Sequence, residues 1–157
     1  MTNSEHKNVV IITADGACKG NPGPGGWGAV LRWNETVKEV YGGEQDTTNN
    51  RMELKGVIAA FEMLKRPVTV IVTTDSKYVC DGMSKWIHKW KENYWRSSTG
   101  AVKNRDLWEK LDNLQAEHTV TWQWVRGHSG HPDQELADKL ANKGAKECIA
   151  SDTTSTC

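Results

Sequence analysis

Carboxylates follow two strongly apolar segments of this 157-residue sequence. Asp15 comes directly after VVIITA at 9–14, and Asp75 comes directly after VTVIVTT at 68–74. Apolar and β-branched runs of this kind are typical of strands that are buried on both faces of a sheet. A helix that joins two such strands as parallel neighbours brings their last residues to one end of the sheet. Asp15 precedes Gly16, however, and an Asp-Gly pair is also common where a chain simply turns.

Two further acids lie on predicted helices. A helix is expected from the capping side chains at 47–50 to about Leu64, and Glu53 falls at the edge of its apolar arc. Such a side chain is held against the sheet, or it turns outward to water. Asp138 lies about 60° from the apolar arc of a final helix that begins at Pro132. Clustered carboxylates repel one another unless a cation binds between them, so a grouping of these acids would indicate a metal site.

Residues 85–105, called the basic segment below, concentrate positive charge in a chain whose formal net charge is zero. The segment contains one acid, Glu92, and six basic side chains: Lys85, Lys89, Lys91, Arg96, Lys103 and Arg105. Most charge runs are only the solvated face of a helix. Here the bases are interleaved with the aromatic residues Trp86, Trp90, Tyr94 and Trp95. Cations beside flat aromatic surfaces suit a sugar–phosphate chain, so a nucleic-acid-binding surface is the alternative interpretation.

The remaining pattern predicts one globular domain. Alternating apolar residues predict strands at 27–33, 37–41 and 120–125, and the first two form an antiparallel meander with the opening strand. Residues 97–103 are expected to form a loop, and His128 lies in a second loop between glycines. The domain is expected to span 9–147, after a polar N-terminal extension at 1–8 and before a disordered tail at 148–157.

Other features exclude several protein classes. The polar N-terminus lacks the apolar core of a signal peptide, and no apolar stretch approaches the roughly 18 residues of a membrane span. We therefore expect a cytoplasmic protein. The four cysteines show no metal-binding spacing, which argues against a zinc site.

Six motifs, in order, resemble those of ribonuclease H enzymes of the bacterial type 1 class. They are TADGACKGNPGPGGWGA, TTNNRMEL, TTDSKYV, WIHKWKENYW, VKNRDLW and VRGHSGHPDQELAD, and they extend from about Val9 to Ala145. The resemblance implies an α+β fold of the ribonuclease H type, in which a five-stranded mixed sheet carries helices on both faces. It also implies a monomeric endonuclease that hydrolyses the RNA strand of RNA/DNA hybrids without sequence specificity and leaves 5′-phosphate and 3′-hydroxyl ends.

The same resemblance implies the catalytic residues by position. Four residues match the family's metal-binding carboxylates and would hold two Mg²⁺ ions, with Mn²⁺ as a substitute: Asp15, Glu53, Asp75 and Asp138. One ion would activate water for in-line attack on the RNA phosphodiester, and the other would stabilise the leaving 3′-oxygen. His128 matches the family's loop histidine, which is expected to shuttle a proton or to aid product release.

Contacts to an RNA/DNA hybrid are implied in the same way. Such enzymes read the RNA strand through its 2′-hydroxyl groups and the DNA strand through backbone shape. The positions that match RNA-hydroxyl contacts are Gly16, Cys18 and Asn49, and those that match a DNA-phosphate pocket are Asn21 and Thr48. Asn50 and Lys77 match contacts in the minor groove, and at the position of Lys77 the family commonly has Gln. Trp86 matches an aromatic that packs on a DNA sugar, and the rest of the basic segment contributes Lys85, Lys89, Trp90, Lys91, Trp95 and Asn104.

Two other functions compete with this interpretation. A non-catalytic hybrid-binding module on the same fold would be expected to have lost one of the four carboxylates, and none is lost. A related polynucleotidyl transferase or DNA nuclease would be expected to lack the basic segment, TTNNRMEL and the GHSGH loop. Better-known bacterial members are basic overall, whereas this chain is neutral, so we expect hybrid binding that weakens with salt.

Overall fold

A mixed sheet lies at the centre of the fold. The computed structural model describes residues 9–127 and 130–150. Its strands are β1 (Val9–Cys18), β2 (Gly23–Trp33), β3 (Thr36–Thr47), β4 (Thr69–Thr74), β5 (Arg96–Ser97), β6 (Gly100–Ala101) and β7 (Thr119–Trp124). Five of them form the main sheet in the order β3-β2-β1-β4-β7, in which β1 and β2 pair with their neighbours β2 and β3 antiparallel, whereas β1–β4 and β4–β7 are parallel. The predicted α+β fold with a five-stranded mixed sheet is confirmed.

Two of the helices begin at capping side chains that the sequence offers. They are α1 (Asn49–Glu62), α2 (Lys77–Asp81), α3 (Ile87–Glu92), α4 (Arg105–Gln115) and α5 (Pro132–Ala150), and a π-helical turn at Gly82–Trp86 joins α2 to α3. The side chains of Thr48 and Ser76 accept hydrogen bonds from backbone N–H groups in the first turns of α1 and α2. None of the described helices combines the length and hydropathy that crossing a bilayer requires.

Alternate residues of β2 face opposite layers of the molecule. Ala29 and Leu31 are buried in the main core, which α1 and α4 cover. Val30 points the other way and packs against Ala137 and Leu140 of α5. This alternation is what a strand with both faces covered requires. The predicted placement of helices on both faces is confirmed.

The main core also fixes the position of the basic segment. Val79, Met83 and Ile87 recur on one face of the continuous segment formed by α2, the π-helical turn and α3, and they are buried with Trp108 of α4. Gly82 lies so close to the Trp108 ring that a Cβ atom there would collide with it. Apolar contacts therefore hold this segment on its inner side and leave its charged side chains facing outward.

Two segments differ from the sequence-based expectation. Residues predicted as a loop contribute to a hairpin in which β5 pairs with β6. Each of these strands is two residues long, which is too short for apolar alternation to be visible in the sequence. Helix α5 continues through Ala150 and buries Cys148, so ordered structure extends past the expected domain end at 147. Residues 1–8 of the expected extension and 151–157 of the expected tail lie outside the described residues.

Helix α5 approaches β2 and β3 closely at a patch of glycines. A Cβ atom at Gly144 would collide with the main chain of Gly42, and one at Gly26 would collide with the main-chain oxygen of Ala141. Only the absence of side chains lets the helix and the strands come this near. The patch therefore sets the height of α5 above the sheet, and with it the position of Asp138 on the same helix.

We expect Gly144→Ala to destabilise the protein, although alanine in a helix interior ordinarily stabilises the helix by about 1 kcal/mol relative to glycine. The new methyl group has no space against Gly42, and overpacking of this kind costs about 1–3 kcal/mol. Urea unfolding followed by circular dichroism measures the free energy of unfolding. Lys146→Ala, at an exposed position of the same helix, is the matched control and should change it by less than about 0.5 kcal/mol. A Gly144→Ala protein as stable as the wild type would contradict the close packing.

Candidate active site

The register between β1 and β4 brings two acids side by side. Ala14 is aligned with Thr74 in this parallel pair, so the next residues, Asp15 and Asp75, lie at the same end of the sheet. Asp15 is only 6% exposed, and the backbone N–H of Gly16 donates a hydrogen bond of 2.9 Å to its Oδ1 atom. Strand β1 continues beyond Asp15, so the alternative that Asp15 merely begins a turn is wrong.

Glu53 reaches the same place because α1 packs closely on β1. A Cβ atom at Gly16 would lie 2.5 Å from the backbone nitrogen of Glu53 and 2.7 Å from the carbonyl carbon of Met52. Glycine at this position therefore allows the first turns of α1 to rest on the strand. The Glu53 side chain is turned inward and is 8% exposed, which resolves the alternative in favour of an acid held against the sheet.

The three carboxylates form a compact group. Asp15, Glu53 and Asp75 each offer an oxygen, and these oxygens lie within 4.8 Å of one another. The Oε1 atom of Glu53 is buried and accepts no hydrogen bond from any described residue. A buried acceptor without a donor is costly, and an all-carboxylate set is what hard divalent cations such as Mg²⁺ prefer. The residues present therefore fit a divalent metal ion.

Asp138 of the expected catalytic set stands apart from this group. Asp138 is half-buried on α5 and is not one of the three grouped acids, although its charge acts on Asp15. Two contacts anchor the beginning of α5 near the site: an ion pair of 2.8 Å between Arg32 and Asp133, and a hydrogen bond of 3.3 Å from Gln134 to the main-chain oxygen at position 14. His128 lies outside the described residues.

Comparison with known proteins covers nearly the whole chain. The family model described as RNase H matches residues 7–146. The chain belongs to the ribonuclease H family. Ribonuclease H of Rhodospirillum rubrum is 59% identical over 139 residues, which cover 88% of this chain and 84% of that protein. Ribonuclease H of Halorhodospira halophila is 54% identical over 148 residues, which cover 94% and 99% of the two chains.

Solved structures of ribonucleases H share the fold. LC9-RNase H1, described as a type 1 RNase H with the type 2 active-site motif, has a TM-score of 0.82 and 37% identity over 90% of this chain and 74% of its own. LC11-RNase H1, solved in complex with an RNA/DNA hybrid, has a TM-score of 0.67 and 21% identity over 89% of this chain and 99% of its own. At 21% identity, the similarity to LC11-RNase H1 supports the shared fold alone.

Burial controls the protonation of the acids in this ribonuclease H fold. It raises the pKa of Asp15 to about 7, and the neighbouring charge of Asp75 acts in the same direction. It also raises the pKa of Glu53 well above its usual range, again with the charges of Asp15 and Asp75 contributing. Without a cation, these groups retain protons that exposed carboxyls would have lost. A bound cation would replace the protons and favour the ionised acids.

Residues 16–21, at the end of β1 and in the turn after it, and residues 48–50, at the beginning of α1, form a rim beside the carboxylates. The Oδ1 atom of Asn21 accepts a hydrogen bond of 2.9 Å from the backbone N–H of Asn49, while Asn49 and Asn50 are exposed. The Cys18 thiol lies within hydrogen-bonding distance of three main-chain carbonyl oxygens, those of Gly20, Thr47 and Gly23, at 2.8, 3.4 and 3.6 Å. The structure thus brings together one set of expected hybrid-contact residues: Gly16, Cys18, Asn21, Thr48, Asn49 and Asn50.

Tryptophans of the basic segment contact one another in series. The ring centroids of Trp86 and Trp90 are 5.9 Å apart, and those of Trp90 and Trp95 are 6.3 Å apart. Trp90 also packs on the buried Trp108 at 5.1 Å. Trp86 forms the outer member and is 40% exposed. Of the three expected contact tryptophans, Trp86 therefore presents the most accessible surface, while Trp90 mainly supports it.

Three lysines of the basic segment differ in their exposure and in the ion pairs that they form. Lys89 is exposed and forms no ion pair with a described residue. Lys85 lies 3.5 Å from Asp81, with a side chain that is 70% exposed. Lys91 forms a closer ion pair of 2.9 Å with Asp112 of α4. Lys91 therefore helps to hold α3 on α4 in addition to any contact with nucleic acid.

Arg51 joins the rim to the basic segment, a role that no local pattern of the sequence indicates. Its guanidinium group forms a two-pronged ion pair with Asp106 at 2.8 and 3.0 Å and lowers the pKa of that carboxyl. It also donates to Asn104 at 3.2 Å, and Asn104 in turn donates to the hydroxyl of Tyr78 at 3.0 Å. Asn104, an expected hybrid contact, is thus held between α1 and α2.

Trp124 and Gly127 also lie near Asp75, and the sequence patterns did not indicate either of them as part of the site. The Trp124 indole N–H donates to the main-chain oxygen of Asp75 at 2.9 Å, and Lys77 lies over the Trp124 ring at 4.7 Å. Gly127 faces the Asp75 carboxylate, because a Cβ atom there would lie 2.6 Å from Oδ2. Strand β7 pairs with β4 so that Trp124 is opposite Thr74. The predicted strand at 120–125 contained Trp124, but its pairing partner was not predicted.

Asp15→Asn is expected to stabilise the metal-free protein, and more so at about pH 8 than at about pH 5. The folded-state pKa of about 7 lies above the ordinary value of 3.8, so between these values the folded state holds a proton that the unfolded state has released. Wild-type stability therefore falls as the pH rises through this range. Asparagine does not ionise, so the advantage of the variant should grow by about 3 kcal/mol from pH 5 to pH 8, because about two pH units separate pH 5 from the folded-state pKa and each is worth about 1.36 kcal/mol.

Urea unfolding in EDTA at the two pH values measures this difference. Glu35→Gln, in the exposed turn between β2 and β3, is the control and should show no such growth. Equal free energies of unfolding for Asp15→Asn and the wild type at both pH values would contradict the raised pKa.

Gly127→Ala is expected to weaken divalent-cation binding by about tenfold without unfolding the protein, since the new methyl group displaces the Asp75 carboxylate. Isothermal titration with Mg²⁺ measures the affinity, and circular dichroism checks the fold. Gly56→Ala places a methyl group no closer than 3.1 Å to its neighbours and provides a milder comparison. An unchanged affinity in Gly127→Ala would argue that Asp75 does not bind the ion.

Proposed function

We propose that this chain is an endonuclease that hydrolyses the RNA strand of RNA/DNA hybrids without sequence specificity and leaves 5′-phosphate and 3′-hydroxyl ends. The observation that carries the proposal is the buried group formed by Asp15, Glu53 and Asp75 on the fold of the ribonuclease H family. Relatives named ribonuclease H, at 59% and 54% identity, support the same activity. Crowded acids with a buried unpaired oxygen suit hydrolysis assisted by a hard cation.

In this proposal two Mg²⁺ ions bind at the grouped acids, with Mn²⁺ as a substitute, and Asp138 of α5 completes the ligand set. The ions supply water activation and stabilisation of the leaving oxygen. The protein keeps Asp15 and Glu53 dry and oriented, since both are less than a tenth exposed. His128 is proposed to shuttle a proton or to aid product release, and this assignment rests on its motif alone.

The rim and the basic segment are proposed to hold the hybrid. The rim offers main-chain groups and short polar side chains to RNA 2′-hydroxyl groups and to a DNA phosphate. Trp86 is proposed to pack on a DNA sugar, where a ribose 2′-oxygen would be crowded, and Lys77 to reach the minor groove. The remaining proposed contacts of the basic segment are Lys85, Lys89, Trp90, Lys91, Trp95 and Asn104. Because the formal net charge is zero, the basic segment supplies most of the attraction for phosphates, and that attraction weakens with salt.

The proposed setting is the cytoplasm, where the chain acts as a monomer. One catalytic domain, which begins at about residue 9 and ends with α5, contains all the proposed metal ligands and contact residues.

A cleavage assay tests the proposal. Purified protein is incubated with end-labelled RNA in an RNA/DNA hybrid, with Mg²⁺ or with EDTA, beside duplex RNA, single-stranded RNA and duplex DNA. We expect internal cuts in the RNA of the hybrid alone, and only with Mg²⁺. Binding without cutting would indicate a non-catalytic hybrid-binding module, and efficient cutting of duplex DNA would indicate a DNA nuclease on this fold.

Asp15→Asn and Asp75→Asn should each lower the cleavage rate by a factor on the order of a hundred or more, because each removes a proposed metal ligand. Hybrid affinity measured in EDTA should change by less than about threefold, since neither variant loses a cation that faces phosphate. Glu35→Gln removes an exposed carboxylate elsewhere and should cleave at the wild-type rate. Near-normal cleavage by either aspartate variant would refute the assigned site.

A further inference from the structure

Tyr94 is an aromatic residue of the basic segment for which the proposed function has no role. Among the described residues it is the most exposed large aromatic, at 86%, compared with 40% for Trp86 and 40% for Trp124. Its ring is therefore almost wholly surrounded by solvent. An apolar ring in this position contributes nothing to the core, so its exposure needs a separate explanation.

The backbone holds Tyr94 in this position. Tyr94 and Trp95 both adopt left-handed backbone conformations, with φ of 55° and 61°, which residues other than glycine and asparagine rarely adopt. Neighbouring contacts compensate for the strain. The backbone N–H of Trp95 donates to the oxygen of Trp90 at 2.6 Å, and that of Val102 donates to the oxygen of Trp95 at 3.1 Å. The inward side chain of Trp95 thus anchors the turn that presents Tyr94 outward.

The Tyr94 ring borders a surface cavity with a volume of about 660 Å³. Trp86, Lys89 and Arg96 also line it, and neither cation forms an ion pair with a residue in the described parts of the chain. Glu92 lies on the same surface and reduces its positive potential. The surface therefore combines three aromatic rings, those of Trp86, Trp90 and Tyr94, with two available cations and one opposing charge. This combination favours stacking over simple charge attraction.

We propose that Tyr94 stacks on an unpaired base of a single-stranded DNA extension that flanks the hybrid. Bases inside a duplex already cover one another's faces, so an exposed ring finds a free partner only in a single strand. Lys89 and Arg96 lie beside it to meet the phosphates of the same strand. Trp86, which is proposed to contact the DNA strand of the hybrid, borders the same surface, and this continuity favours DNA over RNA. The inference rests on the proposed binding of hybrids.

Fluorescence anisotropy in EDTA tests the inference by comparing a blunt hybrid with hybrids that carry a short DNA extension at one end or the other. Wild-type protein should bind one of the extended hybrids at least about fivefold more tightly than the blunt one. Tyr94→Gly should bring this ratio close to one, and glycine accepts the left-handed backbone without strain. Tyr94→Phe retains the ring and should keep the ratio.

The inference would be overturned by no advantage for either extension, by an advantage that survives in Tyr94→Gly, or by an equal advantage from an extension of abasic residues, which has phosphates but no bases. An advantage confined to RNA extensions would also overturn it. Cleavage of the blunt hybrid with Mg²⁺, run in parallel, tests the proposed function separately. If the blunt hybrid is cut and extension gives no advantage, only the role of Tyr94 fails.

Discussion

The parallel pairing of β1 with β4 is the constraint on which the site depends. Because Ala14 and Thr74 are aligned, Asp15 and Asp75 cannot separate unless the central strands lose their hydrogen bonds. The absence of a side chain at Gly16 then lets α1 deliver Glu53 to the same place. Burial of apolar strand and helix surfaces stabilises this arrangement, and that gain offsets the repulsion among the three acids.

Much of this arrangement could be predicted, because local signals and distant contacts agree. The β-branched runs before Asp15 and Asp75 indicate buried strands whose acids meet, and the helical spacing around Glu53 places it at the edge of the apolar face. Contacts that depend on the pairing of distant segments could not be predicted. The hydrogen bond from Trp124 to Asp75 requires the register of β7 against β4, which no local pattern contains. The two-residue strands of the hairpin are likewise too short to leave a periodic signal.

The proposed cleavage centre and the proposed nucleic-acid surface are mechanically joined. Arg51 follows the capping residue of α1 by three positions and reaches across to Asp106 and Asn104 at the beginning of α4. Helix α4 also carries Trp108, on which Trp90 packs. A displacement of the basic segment would therefore pull on the helix that carries Glu53. Charge-assisted hydrogen bonds of this geometry are among the stronger side-chain links in proteins.

The position of α5 in the chain has a consequence for biosynthesis. It is the last of the described elements, and it covers the face of β2 that contains Val30 and Arg32. A ribosome releases the chain from its N-terminus, so this helix emerges after the whole sheet has been made. Until then, the nascent chain exposes an apolar strand face to chaperones and lacks Asp138. The complete set of proposed ligands therefore forms only once translation has passed α5, so the growing polypeptide passes through synthesis without a finished nuclease centre.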